Sequence, residues 1–376
     1  MKDLKPHKAT GPDKIPPRLL KELAIELAPV FTILFNASLK QGVVPSDWRS
    51  AHVAPIFKKG DPLAPSNYRP VSLTSIPCKL LEHIVHSNII NHLSEQKILC
   101  DHQHGFRKKR SCETQLVSFA DDLAKNLAYG VQTDCIFLDF AKAFDKVNHL
   151  SLLKKMNHYG INSTTLNWVK SFLGARTQQV MLDGTLSNPA PVLSGVPQGT
   201  VLGPLLFLIY INDLPKYVSP GTNVRLFADD SAVYRKINSP DDHIILQQDI
   251  KSLEKWESEW SMSFHPQKCQ LLKVTKKHFP SNYDYSIHGV SIESVKSAKY
   301  LGVTISSDLS WSPHISEICK KAPNTVNFLH KNFKTCPPQI KVKLYQTYVR
   351  PTVEYCCSVW DPHTQNDIDK LEAVQK

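Results

Sequence analysis

The sequence predicts an α+β fold. Stretches of helical apolar spacing open the chain, and the last seventy or so residues also read as mostly helical. Between them lie two hairpin signatures, one turning at Asp183-Gly184 and one at Asp229-Asp230. Helices and strands do not alternate regularly, which separates this order from a parallel α/β sheet.

Taken in order, residues 9–17 carry Gly11, Pro12, Pro16 and Pro17 and read as loop. Leu20, Leu23, Leu27, Phe31 and Leu34 then recur at helical spacing, with Pro29 expected to kink or divide the helix. Residues 42–75 are rich in proline and basic side chains, with a strand expected at Val53–Phe57. Residues 78–100 predict a helix with Leu80, Leu81, Ile84, Val85 and Ile89 on one side. His104 to Arg110 is a basic loop, and a helix follows over 112–129. CIFLDF is an apolar strand ending in Asp139. Residues 148–173 predict two helices divided by Gly160, then a strand at 178–182. The Gly/Pro-punctuated loop 192–200 leads into an apolar helix over 202–214. VRLFADDSAVY reads as a hairpin, 243–260 as a helix, and 271–274 and 300–305 as strands.

The formal charge of +11 and the pI of about 9.1 point to a polyanionic partner. A solvated Lys-rich surface accounts for the charge equally well. The nine cysteines include no CxxC pair. Cys319, Cys336, Cys356 and Cys357, near His314 and His330, fit no common zinc spacing, so they read as reduced thiols of an intracellular protein. The first residues are charged and carry no signal peptide. The longest apolar run, 201–211, is interrupted by Gly203 and Pro204 and is too short for a span, so no membrane partner is expected.

Three carboxylates carry the chemistry. Asp139 ends a buried strand, and Asp229 and Asp230 lie at a turn between two apolar strands. Carboxylates gathered in one place repel unless cations stand between them. Magnesium takes oxygen ligands, and two such ions can stabilise both the attacking and the leaving oxygen of a phosphoryl displacement. An Asp-Asp pair alone is also an ordinary turn former.

These segments, with their neighbours, resemble reverse transcriptases, and within them the non-LTR retrotransposons of the jockey-like kind. CIFLDFAKAFD (135–145) looks like the first catalytic motif, SGVPQGTVLGP (194–204) like the template- and nucleotide-contacting loop, and LFADD (226–230) like the second metal motif. PIFKKGD (55–61) and NYRPVSL (67–73) resemble the fingers blocks; HGFRKKRSCETQL, SFHPQKC and KYLGVTIS resemble further blocks in the family's order. The resemblance runs from about residue 8 to the end of the chain. It implies RNA-directed DNA polymerase activity with two Mg2+ ions, an RNA template, a DNA primer and deoxynucleoside triphosphates.

It also implies roles for residues. Asp139 and Asp229 correspond to the principal metal ligands, joined by the backbone carbonyl of Phe140, with Asp230 as the auxiliary acid. Phe144 falls where the family places an aromatic against the sugar. Gln198 and Gly199 correspond to the loop that packs on the nucleotide and template base. Lys58 or Lys59, with Arg69, resembles the grip on the triphosphate, which suits a guanidinium fork. Lys268 resembles the lysine that protonates pyrophosphate. Tyr300, Leu301 and Gly302 resemble the grip on the primer end, and Arg107, Lys108, Lys109 and Arg110 a contact to template backbone. Plain readings stand beside these: a solvated turn for Lys58 and Lys59, a helix cap for Arg69, a surface lysine for Lys268, a core ring for Phe144, a solvated loop for 107–110.

The fold implied is a right-hand polymerase, with fingers over 1–130 and a return segment near 165–195, palm over 131–305, and a truncated thumb over 306–376. The chain carries no upstream endonuclease segment or terminal Cys/His knuckle and starts within the fingers, as a partial copy would. The rival reading is a catalytically inactive, nucleic-acid-binding remnant of such an element.

Overall fold

In the computed structural model, which describes residues 1–375, two units gather different parts of the sequence. The first takes 1–101, 141–214 and 256–263; the second takes 102–140, 215–255 and 264–376. Among the described residues no helix is long and apolar enough to cross a membrane.

The first unit is built on a sheet whose spine is Ser50–Phe57, flanked antiparallel by Tyr68–Leu73 and parallel by Arg176–Leu182. Arg176–Leu182 also pairs with Thr185–Leu186 and Ala190–Val192. The expected hairpin turn is present: Asp183 and Gly184 both have positive φ (49° and 82°), which the tight two-residue turn requires. Helix Ile76–Glu95 is capped by the Ser75 side chain, which accepts the Cys78 N–H. It buries Leu81, Val85 and Ile89 as expected, together with Leu93, but Ile84 is 45% exposed and Leu80 only half-buried, so the buried face is narrower than the expected one. The buried face also includes Glu82.

Helix Leu202–Ile211 is apolar all round and is buried at every position but Pro204, as such a helix must be. It ends at Ile211 and is followed by a separate 3-10 turn, Leu214–Tyr217, rather than running to residue 214. The first helical region is divided at Leu23 (φ −96°, ψ 28°), not at Pro29, which lies inside helix Ala24–Gln41.

The second unit holds a five-stranded sheet in the order Glu293–Val295, Gln270–Val274, Gln132–Leu138, Asp230–Ile237, Thr222–Phe227. Gln132–Leu138 is central and buried at every residue. Helix Cys112–Ala128 opens with a capping box between Ser111 and Thr114. It lays Leu116, Phe119 and Leu123 on the sheet. Phe119 meets Tyr234 and Tyr300 edge-on, with ring centroids 5.1 and 5.3 Å away.

Two expected turns shift. Phe227 pairs with Asp230, so the turn expected at Asp229-Asp230 is Ala228-Asp229 and Asp230 opens the next strand. Residues 300–305 are not one strand but the tip of the hairpin Ser297–Tyr300 and Val303–Ser306, turning at Leu301 and Gly302, both at positive φ. Helix Ser312–Asn332 and shorter helices to Gln375 complete the unit.

Candidate active site

The carboxylates come together at one end of the second unit's sheet. The strand Gln132–Leu138 delivers Asp139 just beyond its last paired residue, where Leu138 faces Ser231 of the neighbouring strand. Asp230 is the residue before Ser231, and Asp229 stands on the turn above it. The Asp139 carbonyl accepts the His265 N–H at 2.7 Å, and Phe140 bridges Phe264 with rings 4.6 Å apart. In such a bridge the hydrogen bonds come from the flanking residues, so the N–H and C=O of Phe140 face away from Phe264.

The electrostatics agree with this convergence. Asp230 reaches solvent, yet its carboxyl is pushed up to about 6, first by loss of solvation and then by the charges of Asp229 and Asp139. Lys268, in the turn Pro266–Lys268, brings its Nζ to 3.6 Å from Asp139 Oδ2. A divalent cation fits this donor set: oxygen-only, negatively charged, and mutually repelling without it. Among the described residues the acids do not close into a ready-made cluster of three or more ligands. One or two carboxylates completed by substrate phosphates and water is how magnesium is commonly held.

The Ala228-Asp229 turn has a support that sequence reasoning missed. Ala228 has φ 53°, a conformation L-residues avoid. Gln103, 3% exposed, grips it: Oε1 accepts the Ala228 N–H at 2.9 Å and Nε2 donates to the Ala228 carbonyl at 3.4 Å. The basic loop that follows folds back on itself. Arg110 Nη1 lies 2.7 Å from His104 Nε2, and Arg107 Nη1 donates to the Gln103 carbonyl. Lys108 and Lys109 are the exposed members.

Tyr300 is 3% exposed, and its hydroxyl accepts a hydrogen bond from Gln115 Nε2 at 3.1 Å. Its ring belongs to the core, so of the three residues expected to grip a primer only Leu301 and Gly302 stand at the turn. Behind that turn, Tyr355 donates to the Leu301 carbonyl at 3.0 Å.

The first unit gathers the residues expected to contact the nucleotide. Lys58, Lys59 and Arg69 are all exposed at one end of the hairpin in which Ile56 faces Arg69. Three residues past Arg69, the Ser72 N–H donates to the Gln198 carbonyl at 2.7 Å. Gly199 (φ 101°) is obligatory here, because a Cβ would stand 2.8 Å from the Ser72 carbonyl oxygen. On its other side the loop is tied to 144–147. Val196 N–H donates to the Phe144 carbonyl, and Gln198 Nε2 donates to Asp145 Oδ1 at 3.3 Å. Phe144 is half-buried and stacks on Phe207 at 4.4 Å. Arg69, Gln198, Gly199 and Phe144 thus sit on one connected piece of backbone.

Glu82 fixes that piece from below and was also missed. Its Oε2 accepts the N–H groups of Val201 (2.7 Å) and Leu202 (3.0 Å) at the start of the buried helix Leu202–Ile211. The signal was available: a lone acid within the apolar stripe Leu81, Val85, Ile89. Gln103 gave no comparable signal.

Residues 56–305 match the family described as "Reverse transcriptase (RNA-dependent DNA polymerase)". The chain is similar to the "Probable RNA-directed DNA polymerase from transposon BS" of Drosophila melanogaster, 28% identical over 100% of this chain and 43% of that protein. It is similar also to the "RNA-directed DNA polymerase from mobile element jockey" of the same species, 30% identical over 98% of this chain and 41% of that one. The chain therefore spans about two-fifths of the length of these curated relatives. Among solved structures it shares the fold of an apo telomerase from Candida tropicalis truncated from its C-terminal domain. The TM-score is 0.50 at 12% identity, covering 79% of this chain and 60% of that one. With the right-hand polymerase fold, and a family match that takes in all three aspartates, the chain belongs to the reverse transcriptase family.

Proposed function

We propose that the chain is the catalytic core of an RNA-directed DNA polymerase that copies retrotransposon RNA into DNA. The observation that carries this reading is the convergence of Asp139 with Asp229 and Asp230 at one end of the sheet, where Leu138 faces Ser231 and Asp230 opens the neighbouring strand. The reaction is attack of a primer 3′-hydroxyl on the α-phosphate of a deoxynucleoside triphosphate, releasing pyrophosphate. Asp139, Asp229 and the Phe140 carbonyl would hold magnesium, with Asp230 as the auxiliary acid. Two such ions, once bound, supply stabilisation of the attacking and leaving oxygens.

The chain's own residues do the rest. Lys268 holds a proton on Nζ for the departing pyrophosphate oxygen. Arg69, with Lys58 and Lys59, neutralises the triphosphate as the nucleotide is bound. Phe144, held by its stack on Phe207, presents a rigid ring to the sugar. Gln198 and Gly199 bring backbone close to the nucleotide and template base. The turn at Leu301 and Gly302, following Tyr300, steadies the primer end, and the 107–110 loop meets template phosphates through Lys108 and Lys109. Fingers over 1–130, palm over 131–305 and thumb over 306–376 belong to the same proposal, as does an intracellular site of action.

Extension of a DNA primer on an RNA template by the purified chain with magnesium tests it. A wild-type chain that binds primer–template but adds no nucleotide would instead be the non-enzymatic remnant.

A further inference from the structure

We propose that Gln103 is a positioning residue of the polymerase site: its buried amide holds Ala228 in a left-handed conformation and so sets where the Asp229 carboxylate stands. The inference rests on the polymerase reading given above.

A non-glycine residue at positive φ persists only where its surroundings over-determine it. At Ala228 they do. A single side chain takes both backbone groups of the residue, accepting its N–H and donating to its carbonyl. The same Oε1 accepts the Gly105 N–H at 2.7 Å, which fixes the amide's orientation. The segment carrying Gln103 is itself bound to the strand that leads into the turn. Gln103 bridges Leu226 in parallel, the Leu226 N–H reaches the His102 carbonyl at 2.9 Å, and the His104 N–H reaches the Leu226 carbonyl at 2.8 Å. This strand, Thr222–Phe227, is the edge of the sheet, and the 102–104 segment occupies its open side. Gly105 completes the fit, since a Cβ there would stand 2.3 Å from the Ala228 nitrogen.

The residue type follows from the chemistry. The position needs an acceptor for two N–H groups and a donor for one carbonyl, which an amide supplies and an ionised carboxylate does not.

Four versions of the chain test this: wild type, Gln103→Met, Gly105→Ala, and Gln103→Met combined with Ala228→Gly. Methionine keeps the length and removes the amide; alanine at 105 presses on the same nitrogen with the amide still present. Both single variants are expected to lower kcat for single-nucleotide addition on the order of tenfold to a hundredfold, the scale of a displaced catalytic group. KM for the nucleotide and Kd for primer–template stay within about twofold, because neither uses Gln103. Glycine takes the left-handed conformation without strain, so Ala228→Gly recovers about tenfold in the methionine background. Amide exchange at Ala228 quickens in Gln103→Met, while Val233 in the same hairpin keeps its protection.

Absence of rescue, or a loss shared among kcat, KM and Kd, would assign Gln103 to general stability and overturn the proposal. So would unchanged exchange at Ala228, a readout that needs no activity. A wild-type chain that extends no primer refutes the polymerase reading, and Gln103 is then judged by exchange alone.

Discussion

Replacing Glu82 by alanine should destabilise the first unit by about 3–5 kcal/mol, the range for removing one partner from a buried, hydrogen-bonded ionic arrangement. The figure can be built from the contacts. Glu82 is fully buried, and its Oε2 takes two N–H groups at 2.7 and 3.0 Å. The donors stand at the start of a buried helix: Val201, just before it, is half-buried, while Leu202 lies in its first turn, where no solvent replaces a lost acceptor. Leaving each unsatisfied costs about 1–3 kcal/mol. The partial positive charge of the helix start favours the carboxylate by up to about 2 kcal/mol in a partly buried setting. Against this stands the desolvation of Glu82 itself, which raises its carboxyl above the usual range even with Arg176 and Lys79 nearby. Glu82→Gln keeps an oxygen for Val201 and Leu202 and escapes that desolvation, so it should cost well under half as much as alanine. Urea unfolding of the three chains at neutral pH measures both differences. A loss below about 1 kcal/mol for alanine, no more than a surface substitution costs, would show that the helix start finds other partners.

Asp229→Asn should lower synthesis about a hundredfold or more, the scale of removing a preorganised electrostatic partner, while primer–template affinity is nearly kept; extension at the wild-type rate would remove Asp229 from the ligand set. Arg69→Ala should raise KM for deoxynucleotides more than it weakens RNA binding, and an equal loss across salt concentrations would assign Arg69 to the duplex backbone instead. Phe144→Val should raise ribonucleotide relative to deoxynucleotide addition by roughly tenfold to a hundredfold, the cost of forcing a 2′-hydroxyl into a packed face. If the ring serves only to pack on Phe207, both rates fall together and the ratio stays put. Glu317 is drawn down to about 2 by hydrogen bonds from Lys299, Lys321 and Thr304. Its folded pKa lies below the unfolded value, so its contribution is present above pH 4.5 and is lost as pH falls through about 2. Stability should therefore decline in acid across that window, and Glu317→Gln should flatten the decline; parallel curves for the two chains would count against it.

Most secondary structure was legible because the local signals were strong. Asp183-Gly184 meets a steric demand that few dipeptides meet, and the apolar run after Val201 had no way to exist except buried. Three of the misreadings share a cause. At Leu23, Leu301 and Ala228 an ordinary residue takes a conformation its type does not announce. The turn at Leu301 is backed by Tyr355, far along the chain, and the one at Ala228 by Gln103. A one-residue error at Ala228 also changes what Asp230 is: not half of a turn, but the first residue of a strand.

The candidate site divides along the same line. Asp139, Asp229, Arg69 and Gln198 were legible as candidates because each stands within a motif whose order and residue types can be read directly from the sequence. Glu82 and Gln103 act on backbone N–H and carbonyl groups, which every residue but proline presents alike. Nothing in the residues they hold, Val201, Leu202 and Ala228, records that a partner is needed. The only trace is on the supporting side, as a polar residue where burial is costly, and it becomes readable once burial is known. Glu82 could have been suspected from its apolar helix stripe, whereas Gln103 precedes a basic loop and looks solvated until the edge strand is in place. A site of this kind therefore depends on two sets of residues, one specified by chemistry and one by the backbone geometry that the chemistry requires. Conservative changes in the second set, such as Gln103→Met, should therefore weaken it although they touch no reacting group.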